Sequence, residues 1–262
     1  MASADFTDPY IDSETGILRN KVGARSQRDL DAAEADFTAA RAYQLILATP
    51  IKATGDLDEL RAIHRHLFQD IYEWAGQLRT VDISKNLGPE EATEFFLPHS
   101  MLERGMSFAA DELRADNYLR GMGRDQFIQR LAHHYDQWNY GHPFREGNGR
   151  ATRLFWDRVS RDAGFRLDWQ QITGTINNQA SRTAMEDRDF SSLHEMFDRI
   201  ITPASATEPT DEAQRLSELR RVSFPLPATE SIRNTPNQPA RPARHDPHAH
   251  RSHRDHGQGM RE

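Results

Sequence analysis

"HPFREGNGRATR", residues His142 to Arg153, decides how this chain reads. Its twelve positions hold a histidine, a glutamate, two glycines around an asparagine, and three arginines. Just upstream, "DQFIQRLAHHYDQWNYGH" sets Phe127/Ile128, Leu131, Tyr135 and Trp138 on one helical face. Downstream, "GRATRLFWDRVSRDAGF" sets Ala151, Leu154/Phe155 and Val159 on another, closed by Gly164. The stretch is therefore predicted as the loop of a helix–loop–helix, between a helix ending near Tyr140-Gly141 and one starting near Gly149. Backbone N–H groups at such a helix start have no intrahelical acceptor, and the helix dipole is positive there. That is a ready anion site. Glycine lets the backbone approach an anion closely and adopt positive φ.

The arginines sharpen this reading. Arg150 and Arg153 are three apart and share a face of the first turns. Cations at a helix N-terminus oppose the dipole by about 0.3–1 kcal/mol each. A sequence shaped only for stability would carry Asp or Glu there; two arginines make sense around a bound polyanion. Glu146 precedes the turn. A carboxylate beside a phosphate site is repulsive unless a cation bridges the two, and Mg²⁺ is the usual one. His142 titrates near neutrality and can take a proton from an attacking hydroxyl. A base, a metal ligand and a phosphate cradle together point to transfer of a phosphorus-containing group from a nucleotide. Each element alone is weak: a histidine before proline is more often a loop or cap residue, and a Gly-x-Gly is most often only a turn.

The rest of the chain sets limits. It has 262 residues, 37% of them hydrophobic, and a net charge of -7. There is no cysteine, which excludes disulfides, thiolate chemistry and zinc–thiolate sites and suits a cytoplasmic setting. No apolar run is long enough to span a membrane, and the acidic start "MASADFTDPYIDSETG" is not a secretory signal. From Pro203 onward 9 arginines face 8 acidic residues, which leaves 24 basic against 32 acidic residues in 1–202. So acidic a body argues against direct nucleic-acid binding, which phosphate neutralisation drives.

Eight of the 13 prolines lie from Pro203 onward, where apolar residues become sparse. Residues 203–262 are read as a mostly disordered Pro/His/Arg-rich tail that cannot offset its ordering entropy. In 1–202 the pattern is helical. "QRDLDAAEADFTAARAYQLIL" offers Leu30, Phe37, Ala40/Arg41 and Leu45 at helical spacing. "TGDLDELRAIHRHLFQDIYEWAG" offers an Asp56 cap, a Leu60, Ile63, Leu67, Ile71 stripe and Gly76 as its close. "SLHEMFDRII" is a further helix. In "RTVDISKNLGPEEATEFFLPH", β-branched and aromatic residues flank Asn-Leu-Gly-Pro, which predicts a short hairpin. The expected class is mainly α, a helical bundle with one small β-hairpin.

"HPFREGNGRATR" resembles the signature of the Fic (filamentation induced by cAMP) family, His-x-Phe-x-(Asp/Glu)-Gly-Asn-Gly-Arg-x-x-Arg, at every specified position. "DPYIDSETGILRNKVG" and "LFQDIYEWAGQLRTVDISK" resemble family segments as well, so the likeness spans about 8–202, and 1–202 is expected to be one Fic domain. The resemblance implies transfer of AMP from ATP to a target hydroxyl. His142 would deprotonate that hydroxyl, Phe144 anchor the loop, and Glu146 hold Mg²⁺. Gly147, Asn148 and Gly149 would form the anion nest, and Arg150 and Arg153 bind the departing phosphates. A flap at about 79–97 would align the target protein by strand addition. Family flaps often read Ser-Lys-Gly; here Ser84-Lys85-Asn86 departs at the third position, with Lys85 and Asn86 as candidate nucleotide contacts. The branch that phosphorylates has Ala-Asn-Lys where this chain has Gly147-Asn148-Gly149, so the match favours AMP transfer over phosphoryl transfer.

Many relatives carry an inhibitory (Ser/Thr)-x-x-x-Glu-(Gly/Asn) helix whose glutamate pairs with the second signature arginine, here Arg153. Only Ser191 to Glu195 has the spacing, and Met196 follows it. The resemblance then implies inhibition by a separate small antitoxin bearing that helix. It implies a toxin acting in the cytoplasm, with the ATPase subunits of DNA gyrase and topoisomerase IV as targets. The alternatives are an injected effector acting on host proteins, or a different nucleotidyl or phosphoryl transfer on the same scaffold.

Overall fold

Ser26 opens the first helix: its hydroxyl accepts from the Asp29 N–H at 3.2 Å and donates to the Asp29 carboxylate at 2.7 Å. The computed structural model describes residues 8–48, 51–85, 94–204 and Ser217. Asn86 and nearly all of the Pro/His/Arg-rich tail lie outside the described residues.

Helix α1 spans Gln27–Ala48 and buries Leu30, Glu34, Thr38, Ala42 and Leu45, a stripe of nearly four-residue period. Phe37, expected in that stripe, is 42% exposed. Two inward positions carry polar side chains instead. Thr38 donates to the Glu34 carbonyl at 2.6 Å, and Glu34 turns toward the signature loop. A stripe with polar members hides its phase from hydrophobic periodicity alone.

Helix α2, Leu57–Phe68, begins as its sequence indicates. The Asp56 carboxylate accepts from the Glu59 N–H at 3.0 Å, and the Glu59 carboxylate takes the N–H groups of Thr54 and Gly55 at 2.8 and 2.7 Å. This is the reciprocal logic of a capping box. Leu60, Ile63, His64, Leu67 and Phe68 form its buried face. The helix stops at Phe68, earlier than Gly76, and the chain folds back on it. Gly76 sits at φ 78, where a Cβ would lie 2.7 Å from the Arg65 Cβ.

Strand β1, Ser84–Lys85, pairs antiparallel with β2, Glu94–Phe95, in the register Ser84↔Phe95 and Lys85↔Glu94. The expected hairpin is thus present at its two arms. Helix α3, Leu102–Ala115, leads through a left-handed turn at Asn117, Tyr118 and Leu119 (φ 53, 55 and 63) into α4, Arg124–Gly141. Helix α5 spans Asn148–Asp162. Strand β3 (Phe165–Leu167), α6 (Gly174–Asp187), α7 (Ser191–Ile200) and β4 (Ile201–Pro203) follow, with β4 antiparallel on β3. The α3 and α6 helices and the β3–β4 pair were not foreseen.

Helix α2 packs against α1 and α5, and α4 against α3, α6 and α7. The core between them holds Trp138, Trp156, Trp169, Phe127, Phe155 and Phe197, each at most 1% exposed. The signature loop therefore leaves one core helix and enters another, with α1 and α2 at its side.

Candidate active site

The loop starts with a backbone that side chains rarely adopt. His142 follows the last residue of α4 in the left-handed region, φ 41 and ψ 61. For a non-glycine residue this costs about 1–2 kcal/mol, so the surroundings must impose it. They do so through Arg79, whose side chain is fully buried. Its Nε donates to the His142 carbonyl at 2.8 Å and its Nη1 to the Val81 carbonyl at 2.8 Å. Its Nη2 donates to the carbonyls of Leu97 and Gly141, and its own N–H to the Pro143 carbonyl at 2.9 Å. One guanidinium ties the end of α4 to both approaches of the β1–β2 hairpin. Burial pulls this arginine down to about 10, with Asp82 opposing the shift. The His142 ring, in a residue 8% exposed, stacks on Phe96 at 3.9 Å and 15°.

Deeper in the loop, Phe144 is fully buried and stacks on His64 of α2 at 3.8 Å. Asn148 closes the turn on itself. Its side-chain oxygen accepts from the Phe144 N–H at 2.8 Å and its amide nitrogen donates to the Phe144 carbonyl at 2.7 Å. The Asn148 side chain is thus spent on the loop, and what it offers an anion is its backbone N–H. His64 accepts the Gly76 N–H on Nδ1 at 2.8 Å, which leaves its Nε2–H to donate to the Glu146 carbonyl at 2.9 Å. Burial drives this imidazole down to about 3, so it stays neutral and keeps that tautomer.

Gly147 is the N-cap of α5 at φ 82. A Cβ there would fall 2.3 Å from the Phe68 ring. Gly149 lies inside α5, where a Cβ would meet only the Arg153 Nη1, at 3.3 Å. No acidic residue occupies the first turn of α5 itself, so the N–H groups of that turn are open to an anion.

The charged residues converge on that end. The Glu146 carboxylate accepts the Gly147 N–H at 2.9 Å and stands 3.7 Å from the Arg150 Nη2. Burial pushes the Glu146 carboxyl up, and the nearby Glu34 carboxylate adds to this against the pull of Arg150. Arg150 lies over the Phe68 ring at 4.8 Å and pairs with Glu34. Burial works against its charge, but Glu34 and Glu146 outweigh burial and hold the guanidinium above its ordinary value. Burial lowers Arg153 to about 10, with Arg150 adding to the shift and Tyr135 opposing it. Arg145, the third arginine of the stretch, forms a buried pair with Asp8 at 2.9 Å.

His142, Glu146, Gly147, Asn148, Gly149, Arg150 and Arg153 therefore lie on one loop and the helix end it feeds. Lys85 closes β1, where only its backbone is described. Glu34, Tyr72, His64 and Arg79 escaped the sequence reading. A buried polar residue on an otherwise apolar helical stripe is the signal that Glu34 and His64 left. Glu195 is exposed on α7, whereas Arg153 is buried.

No group of three or more His, Cys, Asp or Glu that could hold a metal by themselves occurs among the described residues. Glu146 nonetheless suits Mg²⁺, which is commonly held by one or two carboxylates together with substrate phosphates and water. No helix among the described residues is long and apolar enough to cross a membrane.

The Fic/DOC family matches residues 54–159. The probable protein adenylyltransferase Fic of Escherichia coli K12 is 35% identical over 77% of this chain and 96% of its own length. The protein adenylyltransferase VbhT of Bartonella schoenbuchensis is 32% identical over 80% of this chain, which spans 42% of VbhT. The structure of BepC, a VirB-translocated effector of Bartonella tribocorum with bound AMPPNP, superposes with a TM-score of 0.68. It is 25% identical over 75% of this chain and 97% of that one. Such similarity along the body, together with the complete signature in its folded place, shows that the chain belongs to the Fic/DOC family.

Proposed function

We propose that this protein transfers AMP from ATP to a hydroxyl side chain of a target protein and releases pyrophosphate. One observation carries the reading. The buried loop carries a histidine at its start and, at the N-terminus of α5, a carboxylate 3.7 Å from Arg150, with Arg153 one turn further along the same helix. In the reaction the target oxygen bonds to the α-phosphorus while the bond from that phosphorus to the bridging oxygen breaks. His142 takes the hydroxyl proton, and pyrophosphate carries away the bonding pair. The α5 N-terminus, Arg150 and Arg153 bind the charge that accumulates on the leaving group. Mg²⁺ on Glu146 would neutralise phosphate charge when bound. The antiparallel β1–β2 pair gives a target segment an edge for strand addition, with Lys85 and Asn86 as candidate contacts.

The regulatory part of the proposal is a toxin acting in the cytoplasm and restrained by a small antitoxin that brings an inhibitory glutamate to Arg153. The exposure of Glu195 supports a glutamate supplied from outside this chain. ATPase subunits of DNA gyrase and topoisomerase IV are the targets to test first. A second reading, an effector acting in a host cell, is favoured by the likeness to VirB-translocated effectors.

Labelling decides the reaction. With Mg²⁺ and purified protein, targets should take label from α-³²P-ATP and none from γ-³²P-ATP. His142→Ala should abolish labelling without unfolding the chain. Label from the γ-phosphate would replace AMP transfer by phosphorylation, and full labelling by His142→Ala would remove the base assignment. Expression alone should stop growth, with relief by a small neighbouring protein carrying the inhibitory motif; unimpaired growth with active protein would favour the effector reading.

A further inference from the structure

Glu34 lies on α1, outside the residues matched by the family, yet it reaches the phosphate end of the site. The residue is 7% exposed. One carboxylate oxygen pairs with the Arg150 Nη2 and the other accepts from the Tyr72 hydroxyl. Burial and the Glu34 charge both hold that hydroxyl protonated, so Tyr72 serves as a donor and does not neutralise the carboxylate.

A phosphate that drew Arg150 away would leave Glu34 buried without its cation, one of the costliest changes a protein interior can suffer. The guanidinium therefore stays on Glu34 and binds phosphate with its remaining donors. Arginine presents five N–H donors in a rigid planar fork, so holding Nη2 on Glu34 restricts the aim of the others. The guanidinium carbon also lies over the Phe68 ring, 4.8 Å from its centroid, a second contact that limits its movement.

We infer that Glu34 is a positioning residue of the phosphate site, fixing the Arg150 guanidinium in the orientation it needs to stabilise the leaving group. The kinetic side of this inference rests on the AMP-transfer reading; the structural side does not. Glu34 lowers the net positive charge offered to ATP while sharpening its direction. Its effect belongs to the transition state more than to nucleotide affinity.

The test is a set of four variants, Glu34→Gln, Glu34→Asp, Arg150→Gln and the double Glu34→Gln/Arg150→Gln, with two readouts. The first is the ¹⁵N–¹Hε NMR signal of Arg150 in nucleotide-free protein. It should be resolved and slow to exchange in the natural protein and in Glu34→Asp, and collapse to the position of free arginine in Glu34→Gln. The second is AMP transfer. Glu34→Gln should lower kcat by about 10- to 100-fold, while KM for Mg-ATP holds or falls because a negative charge has left the site. Glu34→Asp should recover part of kcat, and Glu34→Gln should cost nothing more once Arg150 is gone. A Glu34→Gln protein that keeps the Arg150 signal, or costs that multiply in the double variant, overturns the inference. So does a rise in kcat, which would make Glu34 a restraint that the phosphates displace. If Glu34→Gln does not fold, Tyr72→Phe, which removes only the second contact of Glu34, should shift both readouts the same way by less. A protein that transfers no AMP sinks the functional reading, and the NMR arm still decides this one.

Discussion

Arg79 donates its Nε–H to the main-chain carbonyl of His142 at 2.8 Å. The contact joins the approach to the hairpin to the candidate base through a backbone atom, so the histidine backbone is held by a side chain 63 residues away in sequence. Arg79→Lys tests this. Lysine keeps the charge but cannot serve the carbonyls of His142, Val81 and Leu97 from one plane. Losing two charged hydrogen bonds of about 1.5–3 kcal/mol each should lower the melting temperature. AMP transfer by the folded fraction should fall about a hundredfold, as expected when a reacting group is displaced by about 1 Å. Unchanged kcat in a destabilised protein would make Arg79 a fold residue only.

The two signature glycines should differ in what they do to stability. Gly147→Ala places a Cβ at φ 82 and 2.3 Å from Phe68. Strain of about 1–2 kcal/mol is then compounded by the clash, so stability and nucleotide binding should both drop. Gly149→Ala adds a helix-favouring residue within α5, worth about 0.5–1 kcal/mol, and presses only on the far end of Arg153. It should melt at the natural temperature or above, yet bind Mg-ATP more weakly. Denaturant melts and calorimetric titration read both effects.

This contrast marks what was legible in the sequence. The helix–loop–helix, the Asp56 cap, the hairpin arms and the grouping of the candidate site residues on one loop can be read because each depends on neighbours in sequence. Phe37 was assigned to the core because its spacing fitted, but its inward place belongs to Glu34 and Thr38, whose partners are structural. The Arg150–Glu34 pair joins residues 116 apart, and Arg145–Asp8 residues 137 apart. Nothing local in the chain specifies such pairs. Gly76 misled for a related reason: its glycine answers a close approach to Arg65, not the end of a helix.

Acid should loosen the fold through His64. Its folded value, about 3, lies below the ordinary 6.5 because burial disfavours the charged ring. Between those values the unfolded chain binds the extra proton, so stability falls as pH drops through the window, by up to about 1.4 kcal/mol per unit. His66 and His134 are shifted down by burial too and add to the slope. Chemical denaturation between pH 7 and 4.5 should show this loss, and His64→Asn should flatten the curve. An equal slope in the variant would mean that His64 does not carry its share.

Arg145 lies in the signature stretch beside the phosphate arginines but is engaged elsewhere. Its side chain is 4% exposed and faces Asp8 at 5%, bonded through Nε and Nη2 at 2.9 Å. Asp8 also accepts the Tyr10 N–H at 2.9 Å, so the pair staples the N-terminal segment to the underside of the loop. Asp8→Asn keeps that acceptor but strands a buried guanidinium, which should cost about 3–5 kcal/mol. Asp8→Asn/Arg145→Gln removes both charges and should recover most of the loss, since removing a whole buried pair is often close to neutral. Because the Nε and Nη2 of Arg145 are both spent on Asp8, the double variant should bind Mg-ATP as the natural protein does. A loss of nucleotide affinity with stability restored would mean that Arg145 acts on the phosphate site after all.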